Sequence, residues 1–191
     1  MKRKYTEITF TDTVKDAQER YGTRQVAQKM ENWKMDDEHL SFTEIAFLQQ
    51  RDSFYMASVS DSGWPYVQFR GGPPGFLKVL DSTTLAYADF RGNRQYISMG
   101  NLQANDRVAL FFMDYPHRKR LKIMARTEVF DAEDRPDLVE KVRDQDYSGV
   151  IERVIVFRLA AFDWNCPQHI TPRFTEEEWA RRSKPSETQE T

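Results

Sequence analysis

Polar and apolar positions divide this chain into a helical opening and a strand-rich body. Up to about Gln50 the pattern predicts helices, first over Thr11–Arg20, ended near Gly22, then over Thr23–Trp33. Ser41-Phe42-Thr43-Glu44 reads as a capping box, with Glu44 returning a bond to the cap and Phe42, Ile45, Ala46 and Leu48 forming an apolar face behind it. At Ser53 the period changes. Phe54–Val59 is rich in strand formers, Asp61-Ser62-Gly63 is a turn signal, and Trp64–Arg70 reads as the returning strand. Phe76–Leu80 and Thr84–Ala88 suggest a second hairpin, and a short helix follows Asn93 as far as Asn101. Val108–Met113, Arg120–Phe130 and Val154–Leu159 are three further strands, with a helix opening at Arg135-Pro136-Asp137 between the last two. Asn165–Pro172 carries two prolines and cannot be regular, and Thr175–Glu178 is a second capping box, opening a helix through Arg182.

Short strands at hairpin spacing imply a mostly antiparallel sheet, and this much apolar alternation implies that it closes as a barrel with flanking helices. The expected divisions are a helical extension over residues 1–50, a barrel over 51–174, and a terminal helix with a loose tail over 175–191.

Composition narrows the function classes. With 191 residues there is room for one domain with a real core, and 13% aromatic residues favour packing over disorder. A net charge of −2 gives no global case for nucleic acid or membrane, so any anion site must be local. Cys166 is the only cysteine and His39, His117 and His169 are scattered, so no disulfide or metal centre is expected. The basic start Met1-Lys2-Arg3-Lys4 precedes no apolar run, which points to the cytoplasm.

The candidate chemistry concentrates in Trp64–Lys78 and Ala88–Gln95. The first runs from a strand into Gly71-Gly72-Pro73-Pro74-Gly75, which is either a place for a ligand to approach the backbone or only a rigid turn. In the second, Arg91, Asn93, Arg94 and Gln95 gather where a strand gives way to a helix, and helix starts favour anions. Arg91 and Arg94 are equally readable as a solvated surface pair. Arg120 and Lys122 share one face of a strand, which is either a ligand face or an ordinary solvent face. His169 is the one candidate acid–base group, its alternative role being a loop hydrogen bond. The catalytic residue is otherwise unassigned.

On these residues the chain resembles the pyridoxamine 5′-phosphate oxidase-like family of FMN-binding split barrels. The densest similarity lies in Trp64–Lys78, Ala88–Gln95 and Phe111–Ala125, within a span from Ser41 to Phe174. Asp163–Phe174 resembles a subgroup of oxidase-related flavin binders whose substrate is undefined. The resemblance implies a six-stranded antiparallel Greek-key split barrel, mainly β, forming a homodimer with FMN, ahead of FAD, at its interface. Gln68, Phe69, Arg70 and Gly71 match the strand passing the flavin ring, and Ala88 and Asp89 match contacts from the next strand. Arg94 and Gln95 match an Arg-Lys pair at the phosphate, and Lys119 and Arg120 match an Arg-Gln pair whose glutamine faces the flavin.

Departures are informative. Gln95 stands for a lysine, leaving Arg91 or Lys78 to compensate, and Arg120 stands for a glutamine. The Trp…Arg-Leu-x-Pro pattern that serves pyridoxal phosphate recognition is replaced by Trp164-Asn165-Cys166-Pro167-Gln168-His169, which argues against pyridoxamine phosphate as substrate. The resemblance therefore implies an FMN-dependent oxidoreductase. It would act on an undefined small molecule or a nicotinamide donor, with Arg120 or Lys122 near the reduced ring and Trp164, Gln168 and His169 walling its open face. The alternative is a non-catalytic module carrying flavin, F420 or haem, and the weakest reading is a purely structural domain.

Overall fold

The computed structural model describes residues 2–183. Four helices open the chain: α1 (Lys4–Thr9), α2 (Asp12–Arg20), α3 (Arg24–Glu31) and α4 (Phe42–Gln49). The second and third match the sequence pattern, with the Thr11 hydroxyl accepting from the Val14 amide at 3.4 Å. Helix α1 was not expected. Its six residues are too few for periodicity to register, and it is held by Asp37, which accepts from the backbone amides of Lys4 and Tyr5. The capping box at Ser41 forms, but the apolar face does not fall as expected. Phe42 is 84% exposed, while Glu44, Phe47 and Leu48 are buried. Glu44 turns inward because the Trp164 indole donates to its carboxylate at 2.7 Å.

Seven strands follow where six are expected: β1 (Ser53–Val59), β2 (Pro65–Gly71), β3 (Lys78–Asp81), β4 (Thr84–Phe90), β5 (Arg107–Asp114), β6 (Lys119–Asp131) and β7 (Ile151–Trp164). Between β4 and β5 lies α5 (Ile97–Ala104), and between β6 and β7 lies α6 (Pro136–Val142), which has proline in its first turn as expected. The chain's last described element is α7 (Glu176–Ser183), opened by reciprocal bonds between Thr175 and Glu178. The tail expected to be loose beyond it lies outside the described residues. No described helix is long and apolar enough to cross a membrane.

The strands form one antiparallel sheet in the order β2-β1-β5-β6-β7-β4-β3. Closure into a barrel is not observed: among the described residues no ladder joins the β2 edge to the β3 edge. The sheet instead curls on its side chains. Phe54 on β1 lies 5.5 Å from Tyr87 on β4 and 6.2 Å from Phe157 on β7, although three strands separate β1 from β4. Burying these rings around one core supplies the hydrophobic term that holds the curl, roughly 1.5–3 kcal/mol for each fully buried side chain. On the opposite face α6 packs Leu138, Val139 and Val142 over Ala86, Ala88, Val154 and Val156. The Gly-Pro loop after β2 is a packing device. Gly75 needs its positive φ of 78° and lies under the Gln49 carbonyl, and a Cβ on Gly72 would sit 2.8 Å from Phe76.

Candidate functional site

Where backbone pairing fails, side chains bridge the gap. Strand β2 alternates, so Tyr66, Gln68 and Arg70 face inward while Val67 and Phe69 face out. Arg70 reaches Asp89 on β4 at 3.0 Å, joining the two ends of the sheet. Directly across from Asp89, Arg153 on β7 holds the other carboxylate oxygen through two bonds, at 3.0 and 2.8 Å. Arg153 also donates to Glu152 at 3.0 Å, and Glu152 accepts from Arg91 at 2.8 Å. Burial works against the charge of Arg153, but the bonds to Asp89 and Glu152 outweigh it and raise its affinity for the proton. The Arg91 bond, with that of Arg153, holds the Glu152 carboxyl below its ordinary range.

A cavity of about 210 Å³ opens beside this chain of charges, between β2, β4 and the start of α5. The loop into α5 is tightly wound, with Arg94 and Tyr96 both left-handed at φ of 60° and 53°. Such angles are uncommon for residues with a Cβ and mark local strain. The helix begins at Ile97, later than expected, without a side-chain cap at Tyr96. Ile97, Ser98 and Met99 from its first turn line the cavity, and the Ser98 hydroxyl donates to the Gln68 amide oxygen at 2.6 Å.

The structure sorts the expected site residues. Gln68, Arg70, Asp89, Asn93, Arg94 and Gln95 line this cavity together. Phe69 does not; it packs against Tyr55 on the outer face, the consequence of strand alternation. Gly71 ends β2 opposite Ser53, and Ala88 is buried under α6. Neither expected compensating cation lines the cavity: the Arg91 Nε donates to Glu152, and Lys78 donates to the Gly75 carbonyl at 2.9 Å. Arg120 and Lys122 lie on the outward face of β6, where Lys122 sits 5.2 Å from the Tyr5 ring centre. Trp164 is seated against Phe47 and bonded to Glu44, while Gln168 and His169 are exposed, His169 with a φ of 62°. None of these last five lines the cavity.

Sequence reasoning missed Arg153, Glu152, Tyr66 and Ser98. Arg153 is visible only through the pairing of β4 with β7, which sequence spacing does not reveal.

The cavity fits an anion. The Arg70 Nε is buried without a partner, an orphaned donor on a charged group, and among the described residues Arg94 pairs with no carboxylate. Together with three uncapped helix N–H groups these provide donors suited to a phosphate. Among the described residues no cluster of metal-ligating side chains occurs.

A family model described as pyridoxamine 5′-phosphate oxidase matches residues 44–164, well over half of the chain. No curated protein sequence matches. Among solved structures, a Lactobacillus delbrueckii protein provisionally described as a pyridoxamine 5′-phosphate oxidase is 21% identical, with a TM-score of 0.52, over 68% of this chain and 98% of that one. HupZ of Group A Streptococcus is 14% identical, with a TM-score of 0.50, over 71% of this chain and all of that one. At these identities the likeness to both structures concerns the fold.

Proposed function

The chain belongs to the pyridoxamine 5′-phosphate oxidase family, and from that premise we propose that it is an FMN-dependent oxidoreductase whose phosphate site is the cavity beside Arg70 and Arg94. The observation that carries this is the unpaired Arg94 in the same cavity as Arg70 and the open start of α5. Arg94 and Arg70 bind the phosphate, Asp89 and Arg153 fix the pose of Arg70 from behind, and Ser98 fixes the amide of Gln68 toward the ligand. When bound, the flavin ring supplies the redox chemistry, and the protein supplies position and electrostatics.

The active form in this reading is a homodimer of Greek-key split barrels with flavin at the interface. Support comes from the outer face of β2, β1, β5 and β6, where Val67 is 60% and Phe69 58% exposed beside a hollow of about 350 Å³ lined by Tyr55, Ala57, Ala109, Phe111 and Met124. Exposed apolar surface of this kind favours a partner, and a second copy brings Arg120, Lys122 and His169 within the reading as contributions across the interface. A monomer in light scattering that still binds FMN tightly would exclude the shared site.

One observation favours a second reading, a flavin carrier without turnover: both carboxylates at the cavity are bound by arginines and no histidine lines it. Bleaching by NAD(P)H followed by return of the yellow colour in air selects the enzyme; flavin that resists every physiological reductant selects the carrier. The site itself is tested by titrating FMN and riboflavin into apoprotein. Arg94→Ala should weaken FMN about tenfold to a hundredfold, from roughly 1.5–3 kcal/mol for a charge-assisted bond, and leave riboflavin unchanged. Equal losses for both flavins would mean that Arg94 serves the fold or the ring.

A further inference from the structure

Helix α5 has two flanks. The phosphate cavity lies on one. On the other is a larger groove of about 560 Å³ between α5 and the strands β6 and β7, whose lining includes Gly100, Gln103, Thr127 and Asp131. The two hollows share Tyr96, Met99 and Arg153 as walls. The Arg153 guanidinium stands 5.2 Å over the Tyr96 ring, so this stacked pair marks the passage between them.

We propose that the groove receives the nucleoside end of a dinucleotide flavin, so that the site admits FAD at least as well as FMN. This rests on the phosphate assignment made above. Three observations support it. The first cavity, at about 210 Å³, is below the roughly 300–1,000 Å³ of ordinary small-molecule sites, whereas the groove falls within that range. A ligand anchored by phosphate in the first must continue out of it, and the groove is one continuation. Second, the groove wall carries a polar atom that lacks a partner: Thr127 is 9% exposed and its hydroxyl makes no hydrogen bond. A buried hydroxyl without a partner calls for a ligand group or a water. Third, the half-exposed Tyr96 ring lines the groove and offers a face on which a base can stack.

Gly100 gives a clean test. It lies in the helix, lines the groove but not the phosphate cavity, and a Cβ there meets nothing within 4 Å. Gly100→Phe should therefore fold and fill the groove. Titrations of apoprotein with FMN and FAD, followed by flavin fluorescence, should show FAD binding as tightly as FMN or tighter in the wild type. Gly100→Phe should lower FAD affinity at least tenfold and leave FMN within twofold. Thr127→Val, which removes only the hydroxyl, should weaken FAD severalfold and spare FMN. Wild-type FAD binding more than tenfold weaker than FMN, or equal losses of both in Gly100→Phe, overturns the inference while the phosphate assignment stands. Failure of both flavins to bind wild type sinks the phosphate assignment and this inference with it.

Discussion

Two arginine–carboxylate clusters tie distant parts of this chain together, and they differ in one respect. In the first, Arg3 donates to Asp163 at 2.6 Å and lies 3.3 Å from Asp37, whose carboxylate also accepts two backbone amides of α1. Arg3 and Asp37 are almost wholly buried and every charge has its opposite in contact. The second, running Arg70, Asp89, Arg153, Glu152, Arg91, is comparably bonded, yet it borders a cavity and has Arg94 beside it unpaired. A sealed cluster holds two segments together and has nothing left to offer a ligand. An open one keeps spare donors. Burial of charge and an arginine Nε without a hydrogen bond are common to both, so it is the open cavity, with the unpaired Arg94 in its wall, that marks the site.

The sharpest way to break this contrast is Arg3→Ala. It strands the buried carboxylate of Asp37 and leaves Asp163 only Lys122 at 4.0 Å, and removing one partner of a buried pair costs about 3–5 kcal/mol. For a chain of this length the midpoint should fall by on the order of 10 °C, measured by thermal melting, with the flavin affinity of the folded fraction unchanged. A shift of under about 2 °C would show that α1 contributes little to the fold. Asp89→Asn should cost less, about 1–3 kcal/mol, because Arg70 and Arg153 then face a cavity that water enters. FMN should recover more of the midpoint in that variant than in wild type, since its phosphate replaces the lost anion. If FMN protects both equally, the second cluster is structural in the same sense as the first.

The contrast also shows what the sequence could carry. Features set by neighbours along the chain were legible. The Ser41–Glu44 and Thr175–Glu178 boxes and the proline opening α6 all formed where expected. Half of the β2 site was legible too, because Gln68 and Arg70 do face one cavity with Arg94 and Gln95. Strand alternation also turns Phe69 out, a consequence available from spacing alone. What depends on register across the sheet was hidden. Arg153 meets Asp89 only because β7 pairs with β4, 64 residues along the chain. The open edge between β2 and β3 was misjudged for a related reason: apolar alternation predicts curling around a core, and whether the last ladder forms depends on the short edge strand β3. Trp164 was read as a wall for the ligand, but its indole satisfies a buried carboxylate, a need that appears only once Glu44 is known to turn inward.

Glu44 gives a smaller, pH-dependent test from the sealed side of the molecule. Burial alone would raise its carboxyl, but bonds from Ser41 and Trp164 outweigh that and hold it below the ordinary value. The folded pKa is depressed, so its contribution is complete above the unfolded value of about 4.3 and disappears as pH falls through the lower folded value. Glu44→Gln should lower stability by about 1 kcal/mol near neutrality. The gap between variant and wild type should narrow below about pH 4. A gap that stays constant down to pH 3 would show that the charge of Glu44 is irrelevant and only its shape matters.

The smallest expected effect makes the finest distinction, between two arginines three residues apart. Read from the residues alone, Arg91 and Arg94 are equivalent anion candidates; the resemblance puts Arg94 at the phosphate and leaves Arg91 to compensate. Arg91 is about half exposed and its Nε is spent on Glu152. Arg91→Ala leaves Glu152 still bonded to Arg153, so no carboxylate is stranded. An exposed pair of this kind is worth about 0–1 kcal/mol, and the midpoint should move by only a degree or two. Its effect on FMN should be the long-range loss of one screened charge, under about threefold at physiological salt. That is well below the loss expected for Arg94→Ala, and raising the salt should erase it. The order of the two variants is therefore the measurement. If Arg91→Ala weakens FMN as much as Arg94→Ala does, and riboflavin is spared in both, then Arg91 leaves Glu152 when phosphate arrives. The chain of charges would then be a switchable part of the site, and its closed pairing would describe only the unliganded form.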